Sequence, residues 1–433
     1  MLRTGNSEST YPLRMSAIDL RYGNSTIVFE YDEGSFGLID SVELPNTLSD
    51  AEIGARLDEP IGSPGIDEII NPGQSVLIVV PDATRDVGCG QVVNLIVRRL
   101  IAGGVNAFDI RLIFATGIHR KVTEAEKAAI VTPFIAQRIK MLDHDARDLM
   151  QFAVLGQTAS GIPVELNRAL IEHDHVILVG GVSFHYFAGF TGGRKLICPG
   201  LASTRTIAGT HKLAFDPDRL VRRDGVGLAR LDGNPVHEAF VEAASAALPS
   251  FAVTTVVNEQ GDIVDLYCGD WIRSHRAACD NFAKHHSVSI DDKRDLVIVS
   301  CGGYPHDVNL IQAHKALDAA SQACRSGGMI ILLAECRDGL GHADMPRWFE
   351  AGDSHDMAVK LSEKYQVNGQ TAWSIVKKCE EFEVILVSSL APELVKTLRM
   401  VPAATLQEAI EKTARWSNGY ILSNGARTFI EVA

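Results

Sequence analysis

The chain has no apolar run long enough to cross a membrane: stretches such as "SVLIVV" at 75–80 fall far short of the ~20 residues that a spanning helix needs. Its first fifteen residues, "MLRTGNSESTYPLRM", lack the apolar centre of a secretory signal, so the cytoplasm is the expected location. Positive charge is in deficit as well. A formal net charge of −13 over 433 residues argues against general nucleic-acid binding, which needs a basic face to neutralise phosphates. It leaves room for a small anionic substrate, because a few local arginines and lysines decide that. Eight cysteines are present, but no two form a C-x-x-C pair, so neither a zinc ribbon nor a disulfide framework is indicated. Internal repeats and low-complexity tails are also missing.

What is there reads as an α/β protein. The length exceeds what one core usually supports, and two α/β domains are expected. Short Val/Ile/Leu runs at 75–80, 110–115, 175–180, 295–300, 329–334 and 383–388 have the continuous apolar character of parallel strands covered on both faces. Between the first two, Val92, Ile96 and Leu100 repeat at i+4 beside Val93, Val97 and Ile101, and Gly103-Gly104 closes a helix, which makes a β-α-β unit. "FAVTTVVNEQGDIVDLYCG" (251–269) differs in texture and reads as an antiparallel hairpin turning at Gln260-Gly261-Asp262. A helix follows it, and a boundary near residue 285 divides the chain into domains 1–285 and 286–433.

In open parallel sheets ligands bind beyond the carboxyl ends of the strands. Four strands here are followed by chemistry-bearing residues. After 75–80 come Asp82, Thr84 and Arg85; after 110–115 comes His119; after 175–180 come His185 and Lys195; after 295–300 come Gln312 and Lys315. Such convergence on one rim points to an active site. Each residue also has a bland reading. A single histidine among fourteen is more often a surface or cap residue, although His119 and His185 each follow a buried strand through a glycine-containing turn. Arg85 can pair with Asp82 or Asp86, and Gln312 with Lys315, one helical turn apart, can form a solvated face as readily as a ligand site. His306 and His314 read as structural or exposed, and His173, His175, His285 and His286 have no functional context. Lys195 sits in "GFTGGRKLICPG" (189–200). This is not a Walker loop, since Arg194 precedes the lysine and Leu196 follows it, and Cys198 in the same loop reads as packing.

"PDATR", "TGIHRKVTEAE", "HYFAGFTGGRKLICPG", "GTHKL", "GNPVHEA" and "GGYPHDVNLIQAHKALDAA" occur in that order between residues 75 and 320, and together they resemble the nickel-dependent lactate racemase family. The resemblance implies two α/β domains with the active site in the cleft between them. It implies nickel, held in a pincer nucleotide (pyridinium-3-thioamide-5-thiocarboxylic acid mononucleotide) attached covalently to Lys195, with His211 of "GTHKL" as the protein's metal ligand. A flat site of sulfur, carbon and imidazole donors suits divalent nickel. His119 and His185 would be the acid/base pair, Arg85, Lys315 and Gln312 would hold the substrate carboxylate, and Asp82, Thr84, Gly192 and Gly193 would support the cofactor. The implied reaction is racemisation or epimerisation of a 2-hydroxy acid by reversible hydride transfer, which avoids removing a carbon-bound proton beside a carboxylate. The implied partners are the small hydroxy acid and separate enzymes that build the cofactor. One departure stands out: the family pattern has an aromatic residue directly before the glutamine, whereas this chain has Ile311, so a larger hydroxy acid or a sugar acid is as fitting as lactate.

Two other classes compete. An NAD-dependent oxidoreductase of hydroxy acids would use His119 or His185 as base, but none of the strand-to-helix turns carries G-x-G-x-x-G. A non-catalytic organic-acid or nucleotide binder needs neither a tether nor two bases, and His119, His185, Lys195 and His211 are all in place.

Overall fold

The computed structural model describes residues 14–40, 46–84, 87–413 and 418–433. Its framework is two six-stranded sheets. In the first, the strands stand in the order Ile263–Gly269, Phe251–Val257, His175–Gly181, Val76–Pro81, Ile110–Ala115, Lys140–Leu142. All neighbours run parallel except the first pair, the antiparallel hairpin expected at 251–269, which turns through Gly261 at φ +87°. Val76–Pro81 is buried along its whole length, which explains why it shows no alternation of apolar and polar residues. The helix Cys89–Ala102 lays Val92, Val93, Ile96, Val97 and Leu100 against the sheet and stops at Gly103, whose N–H returns to the Arg99 carbonyl. Ile101 lies at the helix end and is exposed instead.

The second sheet is wholly parallel, in the order Val401–Ala403, Glu383–Val387, Cys324–Leu333, Arg294–Ser300, Gly419–Leu422, Phe36–Ile39. Its last strand comes from near the start of the chain. The hairpin Met15–Tyr22/Ser25–Asp32 packs on the same sheet, with Leu20 and Tyr31 clustered against Leu296, Ile298 and Met329. Residues 15–39 thus belong with the second sheet, which a single division at residue 285 does not anticipate. Their strands are half-exposed, and local pattern carries no sign of which sheet completes them. Among the described residues no helix is long and apolar enough to cross a membrane, and all eight cysteines are free thiols.

The two halves meet through a polar and aromatic seam. Tyr186 Oη lies 3.1 Å from Thr371 Oγ1, Phe215 packs edge-on against Trp373 at 5.4 Å, and Arg222 reaches Asp318 at 3.3 Å. Asp318 also holds Lys378 Nζ at 2.6 Å. Burial alone would push the Asp318 carboxyl up, but Lys378 and Arg222 outweigh it and hold it well below the usual carboxylate range. Removing one member of such a buried set strands the other charges. Asp318→Ala is therefore expected to destabilise the chain by about 3–5 kcal/mol, read from urea unfolding.

Four histidines in the cores are kept neutral. Burial lowers His144 to about 4, and burial lowers His275, His286 and His314 to about 3, helped by nearby Arg194, Arg427 and Lys378 respectively. Each takes up a proton on unfolding at about pH 6.5 but not in the fold, so its stabilisation is complete above that pH and drains away as pH falls toward its folded value. Below about pH 6.5 each is expected to cost about 1.4 kcal/mol per pH unit, seen as a steep fall in melting temperature between pH 6.5 and 4.

Candidate active site

A cleft of about 840 Å³ opens where the carboxyl ends of strands from both sheets face each other. It is lined by Asp82 and Thr84 after Val76–Pro81, by His119 after Ile110–Ala115, by His185, Gly192 and Lys195 after His175–Gly181, by His211 from the helix Thr204–Lys212, and by Gln312 and Lys315 from the helix Leu310–Ala323. Residues from five stretches of sequence thus share one space. Arg85 lies outside the described residues. Gly193 is not in the lining: at φ +52° it packs on His275, where a Cβ would sit 2.7 Å from ring carbons.

The two histidines carry opposite hydrogen-bond patterns. His119 Nδ1 lies 2.7 Å from Oδ2 of the buried Asp82, whose Oδ1 accepts from the Thr84 N–H at 3.1 Å and the Thr84 hydroxyl at 2.6 Å. The carboxylate draws the proton of the neutral ring to Nδ1 and leaves the lone pair on Nε2, the arrangement of an oriented base. His185 sits in the short strand Phe184–His185, and its Nδ1 accepts from the Phe187 and Ala188 N–H groups, both at 3.2 Å. Its neutral ring therefore carries the proton on Nε2. The Asp82–His119 pairing spans 37 positions, and no local sequence signal announces it.

Lys195 projects from the 3₁₀ turn Gly193–Leu196, entered through Gly192 at φ +75°. Adding a Cβ at Gly192 would place it 2.7 Å from the Gly181 carbonyl oxygen, so only glycine lets the loop lie this close to the strand end. The Lys195 ammonium stands 5.1 Å from the centre of the Phe240 ring, and His211 packs on the same ring at 5.2 Å. His211 Nδ1 is 2.8 Å from the Ile207 carbonyl and donates to it, which leaves the Nε2 lone pair. Burial first, and the Lys195 charge second, push His211 down to about 3, so it is a neutral imidazole at any working pH. This is the state a metal-ligating histidine needs, with its other nitrogen fixed by a carbonyl. Burial pushes the Cys198 thiol up to about 12, in keeping with packing.

Lys315 Nζ donates to Gln312 Oε1 at 2.6 Å, and Gln312 is buried in the cleft wall, so this face of the helix is turned to the cleft rather than to bulk solvent. Ile311 also lines the cleft. Further lining groups had no signal in the sequence: Arg337, stacked at 4.2 Å over Tyr304, and His342, Asn368 and Thr371 from the tail beyond residue 340. That tail contributes to the cleft as well as to packing. Among the described residues no three His, Cys, Asp or Glu side chains converge to hold a metal by themselves. A metal here would need the ligands of a bound group beside His211.

Fold and cleft together define a two-sheet α/β protein with a basic, imidazole-bearing site. The chain matches the family model described as lactate racemase N-terminal domain over residues 22–221 and that described as lactate racemase C-terminal domain over residues 290–421. It is 31% identical over 407 residues to a lactate racemase of Thermoanaerobacterium thermosaccharolyticum, spanning 92% of this chain and 94% of that protein. It is 32% identical over 413 residues to a lactate racemase of Lactiplantibacillus plantarum, spanning 92% and 95%. The solved lactate racemase apoprotein of T. thermosaccharolyticum superposes with a TM-score of 0.87 at 27% identity, over 96% of this chain and 100% of that one. A Thermotoga maritima protein shares the fold, with a TM-score of 0.71 at 18% identity over 90% of this chain and 100% of that one. The chain belongs to the lactate racemase family, a family of isomerases.

If Asp82 fixes the His119 tautomer, Asp82→Asn should reduce racemisation by about 10²–10⁴-fold, the usual worth of an oriented acid/base group. Chiral chromatography of a 2-hydroxy acid incubated with the active enzyme reads the loss, and an unchanged rate sinks the assignment.

Proposed function

We propose that this protein interconverts the stereoisomers of a 2-hydroxy acid, lactate or a larger relative, using a nickel-pincer nucleotide attached to Lys195 with His211 as the protein's nickel ligand. The observation that carries the reading is the grouping of Lys195 and a neutral His211 on one aromatic ring, in the same cleft as two imidazoles of opposite tautomer. When bound, the nucleotide supplies a place for the hydrogen of the substrate's α-carbon to go and return.

The chain's own residues do the rest. Lys315, Gln312 and Arg85 hold the substrate carboxylate, so that only the α-carbon and its oxygen need to reorient. His119, with its lone pair on Nε2, takes the hydroxyl proton from one stereoisomer. His185 presents its Nε2–H to the substrate oxygen, and it serves as base for the opposite stereoisomer in the other tautomer, with the ring proton on Nδ1, the two backbone contacts released and the lone pair on Nε2. The glycines around Lys195 let backbone approach the nucleotide closely, and their N–H groups cradle its phosphate. Ile311, aliphatic where the family pattern is aromatic, shapes the pocket for more than lactate. Separate maturation enzymes must supply the nucleotide, so the chain made without them is apo and inactive, and the cytoplasm is where both are available.

The test is the intact mass of the protein purified from cells that also express the pincer-building enzymes, with peptide mapping and nickel analysis. An adduct on Lys195 with about one nickel per chain is expected, and Arg85→Ala should keep the adduct while losing more than about 99% of turnover. An unmodified Lys195, under conditions that modify a known family member, overturns the reading.

A further inference from the structure

Beside the Lys195 loop lies a second, much smaller cavity, whose wall includes Arg194, Leu231, His237, Trp271, His275 and Arg276. Its volume of about 20 Å³ is room for one occupant the size of a water molecule or a halide ion. Arg194 is only 1% exposed, the largest side chain buried to that degree. One end of its guanidinium grips the loop: Nη2 donates to the Ala188 carbonyl at 2.7 Å, and Nη1 to those of Gly192 at 3.3 Å and Thr191 at 3.5 Å. His275 Nε2 stands 2.8 Å from the same Thr191 carbonyl and 3.2 Å from Nη1.

The other side is unfinished. Arg194 and His237 both belong to the wall of this cavity, and Arg194 Nε and His237 Nδ1 are buried without a hydrogen-bond partner. Charge is also out of balance. The acidic group that bears on Arg194 is the Cys279 thiol, which burial pushes up to about 12 and which therefore stays neutral. Burial, with Arg194 and Arg276, lowers His237 and His275 to about 3, so they are neutral as well. Arg276 is already matched by Asp232, at 2.5 and 3.0 Å. An isolated buried guanidinium with an unmet N–H is an expensive arrangement. A water molecule would meet the donors but not the charge.

We propose that this cavity is a binding site for one small monovalent anion of halide size, held between Arg194 Nε–H and His237 Nδ1–H. The ion neutralises Arg194, and Arg194 in turn holds carbonyls 188, 191 and 192, the backbone from which Lys195 projects. The site makes no use of the nucleotide and stands whether or not the racemase reading does.

Crystals of the full chain grown in sodium bromide test it directly. An anomalous peak within hydrogen-bond distance of Arg194 Nε and His237 Nδ1 is expected; bromide peaks confined to the surface, or water in the cavity, overturn the proposal. In solution, potassium chloride should raise the melting midpoint saturably, by about 2–4 °C, over potassium methanesulfonate of equal ionic strength, whose anion is too large to enter. His237→Leu and Arg194→Lys should abolish that difference. A chloride response that survives in a folded His237→Leu protein overturns the proposal, and if neither variant folds the bromide map decides.

Discussion

Parallel pairing fixes where everything else in this molecule goes. Strands that run side by side in one direction need a crossover between them, so every strand-to-helix loop leaves from the same edge of its sheet. Two such edges face one another here, and the seam of Tyr186, Phe215 and Arg222 against Thr371, Trp373 and Asp318 holds them at a distance that leaves a cleft rather than a closed core. The loops contribute side chains, but the sheets determine that those side chains share a space. For this reason Asp82 meets His119 from the adjacent strand, although 37 positions separate them.

The parts of the fold that were legible in the sequence are those governed by local pattern. The buried strands announced themselves as unbroken apolar runs, because both faces are covered and nothing forces alternation. The helix Cys89–Ala102 was visible in its i+4 rows and its closing glycines, and the hairpin at 251–269 in its β-rich flanks and turn. What stayed hidden depends on contacts between distant segments. Phe36–Ile39 completes the second sheet only through pairing with Gly419–Leu422, nearly four hundred residues away. The same division runs through the site. His119, His185, Lys195, Gln312 and Lys315 were legible because each follows a strand. The Asp82 carboxylate's aim at Nδ1, the Phe240 ring under Lys195 and His211, and the contribution of Asn368 and Thr371 were not, since they are properties of packing.

In the first half of the molecule, cations and imidazoles crowd together around the Lys195 loop. Lys195 stands over an aromatic ring, Arg194 is anchored by carbonyls, and the imidazoles around them are held neutral by burial and by those same charges. An interior of this kind attracts anions and keeps its histidines available as lone-pair donors. At the seam, Asp318 matches Lys378 and Arg222 directly.

The unequal tautomers of the two histidines have a thermodynamic consequence. Mirror-image substrates have equal free energy, so for a racemase kcat/KM must be the same in both directions at every pH, whatever the enzyme's own asymmetry. His119 has a carboxylate to receive the charge of its protonated ring, whereas His185 must give up two backbone N–H contacts before a proton can sit on Nδ1. That inequality cannot appear as a preferred direction. It must be divided between binding and turnover, so that the mirror image processed more slowly at saturation is also the one held more tightly.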